Sequence, residues 1–162
     1  MGYISSPAGC RMEQVSGLHL LFQGTLRRMN TELIAQTWFA LGERQAAMIE
    51  AFYDRFFERF PDYRPLFPAE RDPHLLQKMV ETMSLVARLG DNRPIIAPRL
   101  QGVGDHHQPY HLGEGDLRNF RDVFVEVLGE QCGPPWTEAA ADSWREAFDE
   151  VVIPLMMKGN KR

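Results

Sequence analysis

The sequence predicts an all-α fold, and three observations support this prediction. Apolar residues recur every three or four positions from about residue 30 onwards, which is the spacing of one face of a helix. No stretch of useful length alternates apolar and polar residues with a period of two, as a half-buried strand would. Glycines and prolines separate the apolar runs at intervals that suit ordinary helix lengths.

The first two helices are predicted from the end of a tail-like N-terminal segment up to Pro61. Asn30 or Thr31 can cap the first helix, and Glu32 suits its positive end. The apolar positions of this helix are Leu33, Ile34, Trp38 and Leu41. After Gly42 comes a second apolar run of Met48, Ile49, Phe52, Tyr53, Phe56, Phe57 and Phe60.

The middle of the chain is predicted as a proline-rich corner followed by two helices. The corner extends from Pro61 to about Pro73, where a third helix begins and continues to Leu89. Residues 91–94 are expected to interrupt the helical pattern, and a short helix is then expected to end at His107.

The short helix ending at His107 carries an imidazole on its apolar face. Leu100, Val103 and His107 share that face, because they are three and seven residues apart. His106 points away from it, since neighbouring residues on a helix are about 100° apart. Pro109 is expected to push Gln108 out of the helical region and so to end the helix.

The last part of the chain is predicted as two more helices. Asp116 is the expected cap of the first, which should end before Gly129. Thr137 is the expected start of the final helix, with Pro154 near its end.

Composition limits the classes of function. The 162 residues are 44% hydrophobic and 25% charged with a net charge of −4, which fits one globular domain and gives no attraction for nucleic acid. Cys10 and Cys132 form no Cys-x-x-Cys pattern, which argues against structural zinc, a dithiol pair and thioether-linked haem, and favours a reducing, cytoplasmic location. No apolar run approaches the ~20 residues of a membrane helix, so a membrane role is not expected. We expect an N-terminal extension over residues 1–28 and a single domain over 29–162.

Three sequence blocks together resemble the globin family, and most closely its bacterial single-domain members. The first is Phe-Tyr-x-x-x-Phe at residues 52–57 with Pro-x-x-x-Pro-Leu-Phe at 61–67. The second is Leu-Gln-x-Val-Gly-x-x-His-x-x-Tyr-x-Leu at 100–112. The third is Val-Leu-Gly at 127–129 with Trp-Thr at 136–137 and Ser-Trp at 143–144. The resemblance extends from about residue 30 to 157 and implies a globin fold of about seven to eight helices around a b-type haem.

The resemblance implies an axial iron ligand and a ring-facing set of residues on the proximal side. It makes His107 the proximal ligand, with His106 as the alternative; without the resemblance, a solvated histidine pair at a polar helix end would be the default interpretation. Further expected haem contacts on this side are Val103, Tyr110, Leu112 and Leu117. Leu117 stands where several bacterial globins have a tyrosine that supports the proximal histidine, which weakens any expectation of a strongly basic ligand.

The resemblance also implies the residues of the ligand-binding side. Phe67 falls where globins stack a phenylalanine on the porphyrin, and Tyr53 falls where a hydroxyl can donate to a bound diatomic ligand. Met79 is expected over the ring, and Leu75 at the gate position. If the corner is one residue shorter, His74 takes the gate instead and becomes a possible second iron ligand. Lys78 and His111 are candidates for the haem propionates.

The resemblance implies a globin that reversibly binds O₂, CO or NO for oxygen binding, storage, transport or sensing. One alternative is nitric oxide dioxygenation with an external reductase as electron donor. Another is a haem-free globin fold that acts through protein contacts. Under any of these functions the chain is expected to be a monomer or a homodimer.

Overall fold

The computed structural model describes residues 29–161, apart from the side chain of Asn92, and consists of seven α-helices. The predicted N-terminal extension lies outside the described residues. The helices are α1 (Thr31–Phe39), α2 (Gln45–Arg59), α3 (Pro73–Ala87), α4 (Leu89–His107), α5 (Glu114–Cys132), α6 (Glu138–Ala147) and α7 (Ile153–Asn160). Short 3₁₀ turns occupy Gly42–Arg44, Pro61–Leu66 and Gln108–Tyr110, and a π turn at Phe148–Val152 joins α6 to α7. The described part of the chain contains no strand, so the all-α prediction is confirmed.

Two of the predicted helix caps are present. The side-chain oxygen of Asn30 accepts hydrogen bonds from the backbone N–H groups of Glu32 (3.1 Å) and Leu33 (3.2 Å). The Thr137 hydroxyl accepts from the N–H of Ala140 at 3.1 Å. Each bond pairs a donor that the first turn of a helix otherwise leaves unsatisfied.

The third cap differs from the prediction. Asp116 lies within the first turn of α5, and Gly113 occupies the N-cap position. The Asp116 carboxylate accepts a hydrogen bond from the backbone N–H of Gly113 at 2.7 Å. An acidic side chain three residues into a helix reaches back to the cap in this way, so Asp116 still stabilises the helix start.

The expected interruption at residues 91–94 does not occur, because α4 continues through Pro94 and Pro98. Each proline removes one helical hydrogen bond to the carbonyl four residues earlier. Those carbonyls belong to Gly90 and Pro94, which are both exposed, so water can satisfy them. The opposite face of the same segment is buried through Leu89, Ile96 and Leu100, and this burial stabilises the helix.

Pro109 ends α4 in a different way from the one predicted. Gln108 keeps helical dihedral angles (φ −51°, ψ −42°), since Pro109 lies in the first turn of a 3₁₀ helix, where its missing N–H has no partner to lose. The chain changes direction three residues later at His111, which is left-handed (φ 52°, ψ 40°).

The last helices are longer than predicted. α5 includes Gly129 and ends at Cys132, and the helical run continues past Pro154 to Asn160. The π turn ends two residues before Pro154, where the proline removes a hydrogen bond and a regular α-helix would place its ring against a carbonyl.

Aromatic side chains from α1, α2, α5 and α6 fill the centre of the fold. Trp38, Phe52, Phe124 and Trp144 are fully buried and in mutual ring contact along this cluster. The Trp144 indole N–H donates to the buried Thr37 hydroxyl at 2.9 Å, so its one polar atom is satisfied.

The closest helix crossing joins the second half of α4 to α7. A Cβ atom on Gly104 would lie 2.1 Å from the Met156 carbonyl oxygen, and one on Gly159 would lie 2.1 Å from that of Gln101. The two backbones therefore touch, and this contact fixes the depth at which the His107 end of α4 lies against the fold.

Candidate functional site

His107 is the last residue of α4 and is half-buried. Its Nδ1 atom lies 2.7 Å from the carbonyl oxygen of Val103, one turn back in the same helix. Because a carbonyl only accepts, Nδ1 carries the proton in this bond, and Nε2 is left as the ring nitrogen with a free lone pair. An imidazole nitrogen with a free lone pair is able to coordinate a metal ion.

His106 makes the same kind of bond but faces solvent. Its Nδ1 atom lies 2.9 Å from the carbonyl oxygen of Gly102, and the residue is exposed. The two neighbouring histidines therefore differ in burial and not in local bonding.

The residues expected around His107 lie near it with different degrees of burial. The Tyr110 ring is 6.1 Å from the His107 ring between centroids, and Tyr110 is 47% exposed. Val103 and Leu112 are half-buried, and Leu117 is buried on α5. The expected propionate contact His111 is exposed.

Asn160 connects the end of α7 to the segment after His107. Its side-chain amide donates to the Leu112 carbonyl at 2.8 Å, while its other side-chain atom, Oδ1, is buried and has no hydrogen-bond partner in the described part of the chain. Sequence reasoning missed this contact, because nothing in the local pattern of residues 153–160 points to Leu112.

Tyr53 lies on α2, half-buried among aromatic rings. Its ring contacts those of Phe52, Phe57 and Phe67 at centroid distances of 5.2, 5.7 and 5.5 Å. Burial raises the pKa of Tyr53 to about 12, so the phenol keeps its proton at neutral pH. The hydroxyl makes no hydrogen bond with the residues that the structure describes, which leaves it available as a donor.

A cleft of about 130 Å³ opens between α2, the corner and the start of α3. Its apolar and aromatic walls consist of Tyr53, Phe57, Phe67, Pro68, Leu75 and Leu76. Its rim consists of Glu50, Asp54, Arg64, Glu70, Arg71 and Asp72. Sequence reasoning missed the rim residues, although acidic and basic residues alternate from Arg64 to Asp72 and could have indicated a charged surface there.

The two candidates for the gate position differ in exposure. Leu75 is half-buried and lines the cleft, whereas His74 is exposed and does not line it. On the same helix Met79 is half-buried and packs against the core, and Lys78 is exposed.

The predicted site residues therefore form two groups. Tyr53, Phe67 and Leu75 share the cleft beside α2 and α3, and His107 lies with Tyr110 at the end of α4. α3 and α4 are consecutive helices that pack on each other, and this contact connects the two groups.

Comparison with known proteins decides the family. The sequence matches the family model for globins over residues 50–155, about two thirds of the 162 residues. The chain belongs to the globin family. This globin is also similar to an anaerobic nitrite reductase of Gossypium hirsutum, with 20% identity over 140 residues that cover 78% of this chain and 86% of the relative.

Globins generally bind haem, and the residues of this globin fit that group. His107 offers one unpaired imidazole nitrogen beside half-buried apolar side chains. Tyr53 offers one unpaired hydroxyl in an aromatic wall. No helix within residues 29–161 is long and apolar enough to cross a membrane.

Proposed function

We propose that this globin binds a b-type haem through Nε2 of His107 and reversibly binds O₂, CO or NO. The observation that carries the proposal is the hydrogen bond from Nδ1 of His107 to the Val103 carbonyl, which fixes the tautomer and leaves Nε2 unpaired. When bound, a haem supplies an iron with one open coordination position for a diatomic gas. The chain's own residues then provide orientation, exclusion of water and a hydrogen bond.

Tyr53 is the proposed hydrogen-bond donor to the gas ligand. Its hydroxyl is unpaired and protonated, and ring contacts with Phe57 on α2 and Phe67 in the corner hold the side chain in place. Phe67 and Met79 are proposed to pack on the haem ring, and Leu75 to form the gate. Lys78 and His111 are proposed propionate contacts, because both side chains are exposed and carry N–H donors.

Nitric oxide dioxygenation is a second candidate, favoured by the same Tyr53 hydroxyl. A fixed donor beside the ligand orients an oxygen molecule for reaction with NO, and an external reductase would supply electrons. Rapid formation of nitrate from NO and O₂ in the presence of a reductant distinguishes this activity from reversible binding. The name of the cotton relative raises nitrite reduction as well, but the acidic rim of the cleft does not favour an anionic substrate.

The first test is the absorption spectrum of the purified chain in the ferric, ferrous and CO-bound states. We expect a Soret band in the wild type, its loss or marked weakening in His107→Ala, and its retention in His106→Ala. The two variants are matched, because both histidines bond to a carbonyl of their own helix and differ only in burial. Loss of haem in His106→Ala alone would mean that His106, and not His107, is the iron ligand.

A haem-free interaction module is the outcome if no Soret band appears after addition of hemin. The spectrum of the ferric and ferrous forms also shows whether a second protein ligand such as His74 coordinates the iron. We also propose that residues 29–162 form a single domain and that the protein is located in the cytoplasm.

A further inference from the structure

The rim of the Tyr53 cleft carries more negative than positive charge. Its acids are Glu50, Asp54, Glu70 and Asp72, and its bases are Arg64 and Arg71, which leaves a net charge of −2. Most of these side chains are exposed, so their field extends into the water in front of the opening.

Both arginines of the rim are already engaged by groups of the protein. Arg71 forms ion pairs with Asp54 and, at 3.4 Å, with Glu50, which joins the corner to α2 across the rim. Arg64 donates to the carbonyl oxygens of Pro68 (2.7 Å) and Ala69 (2.6 Å). An incoming anion would therefore compete with these partners for the N–H groups that they already hold.

The two acids at the start of α3 have no cationic partner in the described part of the chain. Glu70 is exposed and unpaired, and the Asp72 carboxylate accepts only the backbone N–H of His74, at 2.9 Å. The positive end of the α3 dipole is thus capped by a carboxylate rather than left open to a ligand. His74 and Lys78 are exposed on α3 but do not line the cleft.

We propose that this rim makes the cleft an entrance for uncharged ligands: it admits neutral diatomic molecules and slows the entry of small anions such as azide and nitrite. The inference rests on the proposed function, since it treats the Tyr53 cleft as the path to the haem. A charge of −2 at about 8 Å slows a monovalent anion about fourfold at 0.01 M ionic strength, and about twofold at 0.15 M.

The first experiment measures the local potential in the apoprotein, without any haem. A thiol placed in the cleft wall by Leu75→Cys, with Cys10→Ser, reacts with a cationic and an anionic methanethiosulfonate reagent; the native Cys132 is only 2% exposed and stays unreactive. Replacing the two unpaired acids by Glu70→Gln and Asp72→Asn removes the net rim charge, and asparagine keeps the cap. We expect the cationic-to-anionic rate ratio to fall about fifteenfold at 0.01 M ionic strength.

The matched control removes the same charge elsewhere. Glu43→Gln with Glu150→Gln gives the chain the same total charge, and both residues are exposed and lie outside the cleft. The rate ratio should change little in this variant. A ratio that fails to fall on neutralising the rim, or that falls equally in the control, overturns the proposal.

The second experiment uses the haem-loaded ferric protein at pH 8. Neutralising the rim should speed azide association about fourfold at 0.01 M ionic strength and leave the association rate of NO unchanged. If neutralising the rim leaves the azide association rate unchanged while the cysteine probe reports a negative rim, ligands do not enter through this cleft and the proposal is wrong. Failure of the proposed function looks different, because the protein then has no Soret band while the cysteine probe still reports the rim.

Discussion

Gly104→Ala is the substitution that should separate α4 from α7. The new Cβ atom would lie 2.1 Å from the Met156 carbonyl oxygen, where an ordinary contact is 3.4 Å or more, so the helices must part by more than 1 Å. The obstacle is backbone and cannot rotate away. We therefore expect a loss of stability at the upper end of overpacking effects, about 3 kcal/mol. For a chain of this size, that loss lowers Tm by about 10 °C.

The displacement should also reach His107, which lies three residues further along the same helix. A shift of about 1 Å at a positioned group is enough to impair it strongly. We expect faster loss of hemin to apomyoglobin-type acceptors and a changed iron–histidine stretching frequency in the resonance Raman spectrum. Circular dichroism melting curves and hemin-transfer rates together measure the two effects.

Two other glycines provide controls for Gly104→Ala. Gly102 is on the same helix and has nothing within 4 Å of its Cβ direction, so Gly102→Ala should stabilise the chain by roughly 0.5–1 kcal/mol. A Cβ atom on Gly129 would lie 2.7 Å from the Trp136 ring, so Gly129→Ala should destabilise the fold. It should not change the iron–histidine frequency. Equal effects of Gly102→Ala and Gly104→Ala would refute the argument from the helix crossing.

Three further outcomes are expected. Tyr53→Phe should speed O₂ dissociation at least tenfold in stopped-flow measurements, because a charge-assisted hydrogen bond contributes roughly 1.5–3 kcal/mol; an unchanged rate would mean that the hydroxyl does not reach the ligand. Glu126, whose pKa is lowered first by its hydrogen bond to Arg59, should stabilise the fold fully above its unfolded-state pKa of about 4.3 and lose that effect as pH falls through the lower folded value. Urea titrations from pH 7 to pH 3 should therefore show a shallower acid decline in Glu126→Gln. Cys132 should resist alkylation in the native protein and react on unfolding, since it is 2% exposed and burial raises its pKa.

Local signals predicted the parts of the fold that depend on local physics. The apolar spacing of α2 and α3 and the caps at Asn30 and Thr137 appear in the structure as predicted. Each of these follows from residues within one or two turns of each other, which a sequence displays directly.

The errors concern features whose cost depends on distant contacts. The sequence pattern predicts a break at residues 91–94, but α4 continues through them. A proline costs a helix little when the carbonyl that loses its hydrogen bond faces water. The exposure of Gly90 and Pro94 depends on the tertiary fold, so the local sequence does not predict it. The close contacts of Gly104 with Met156 and of Gly159 with Gln101 join residues far apart in sequence, so no local pattern predicts them.

The candidate site shows the same division. The face that carries His107 and the aromatic environment of Tyr53 could be predicted from spacing and resemblance. The ion pairs of Arg71 with Glu50 and Asp54 could not, because they depend on how the corner after α2 folds back on that helix.

The hydrogen-bond acceptor of Nδ1 of His107 affects how strongly the opposite ring nitrogen donates electrons. A carboxylate in that position would pull the proton and give the ring imidazolate character, which makes the opposite nitrogen a stronger electron donor. The Val103 carbonyl is uncharged, and its position is set by the helix that carries the ring. The nitrogen facing away from it therefore donates with the strength of an ordinary neutral imidazole, which suits the reversible gas binding proposed for this globin.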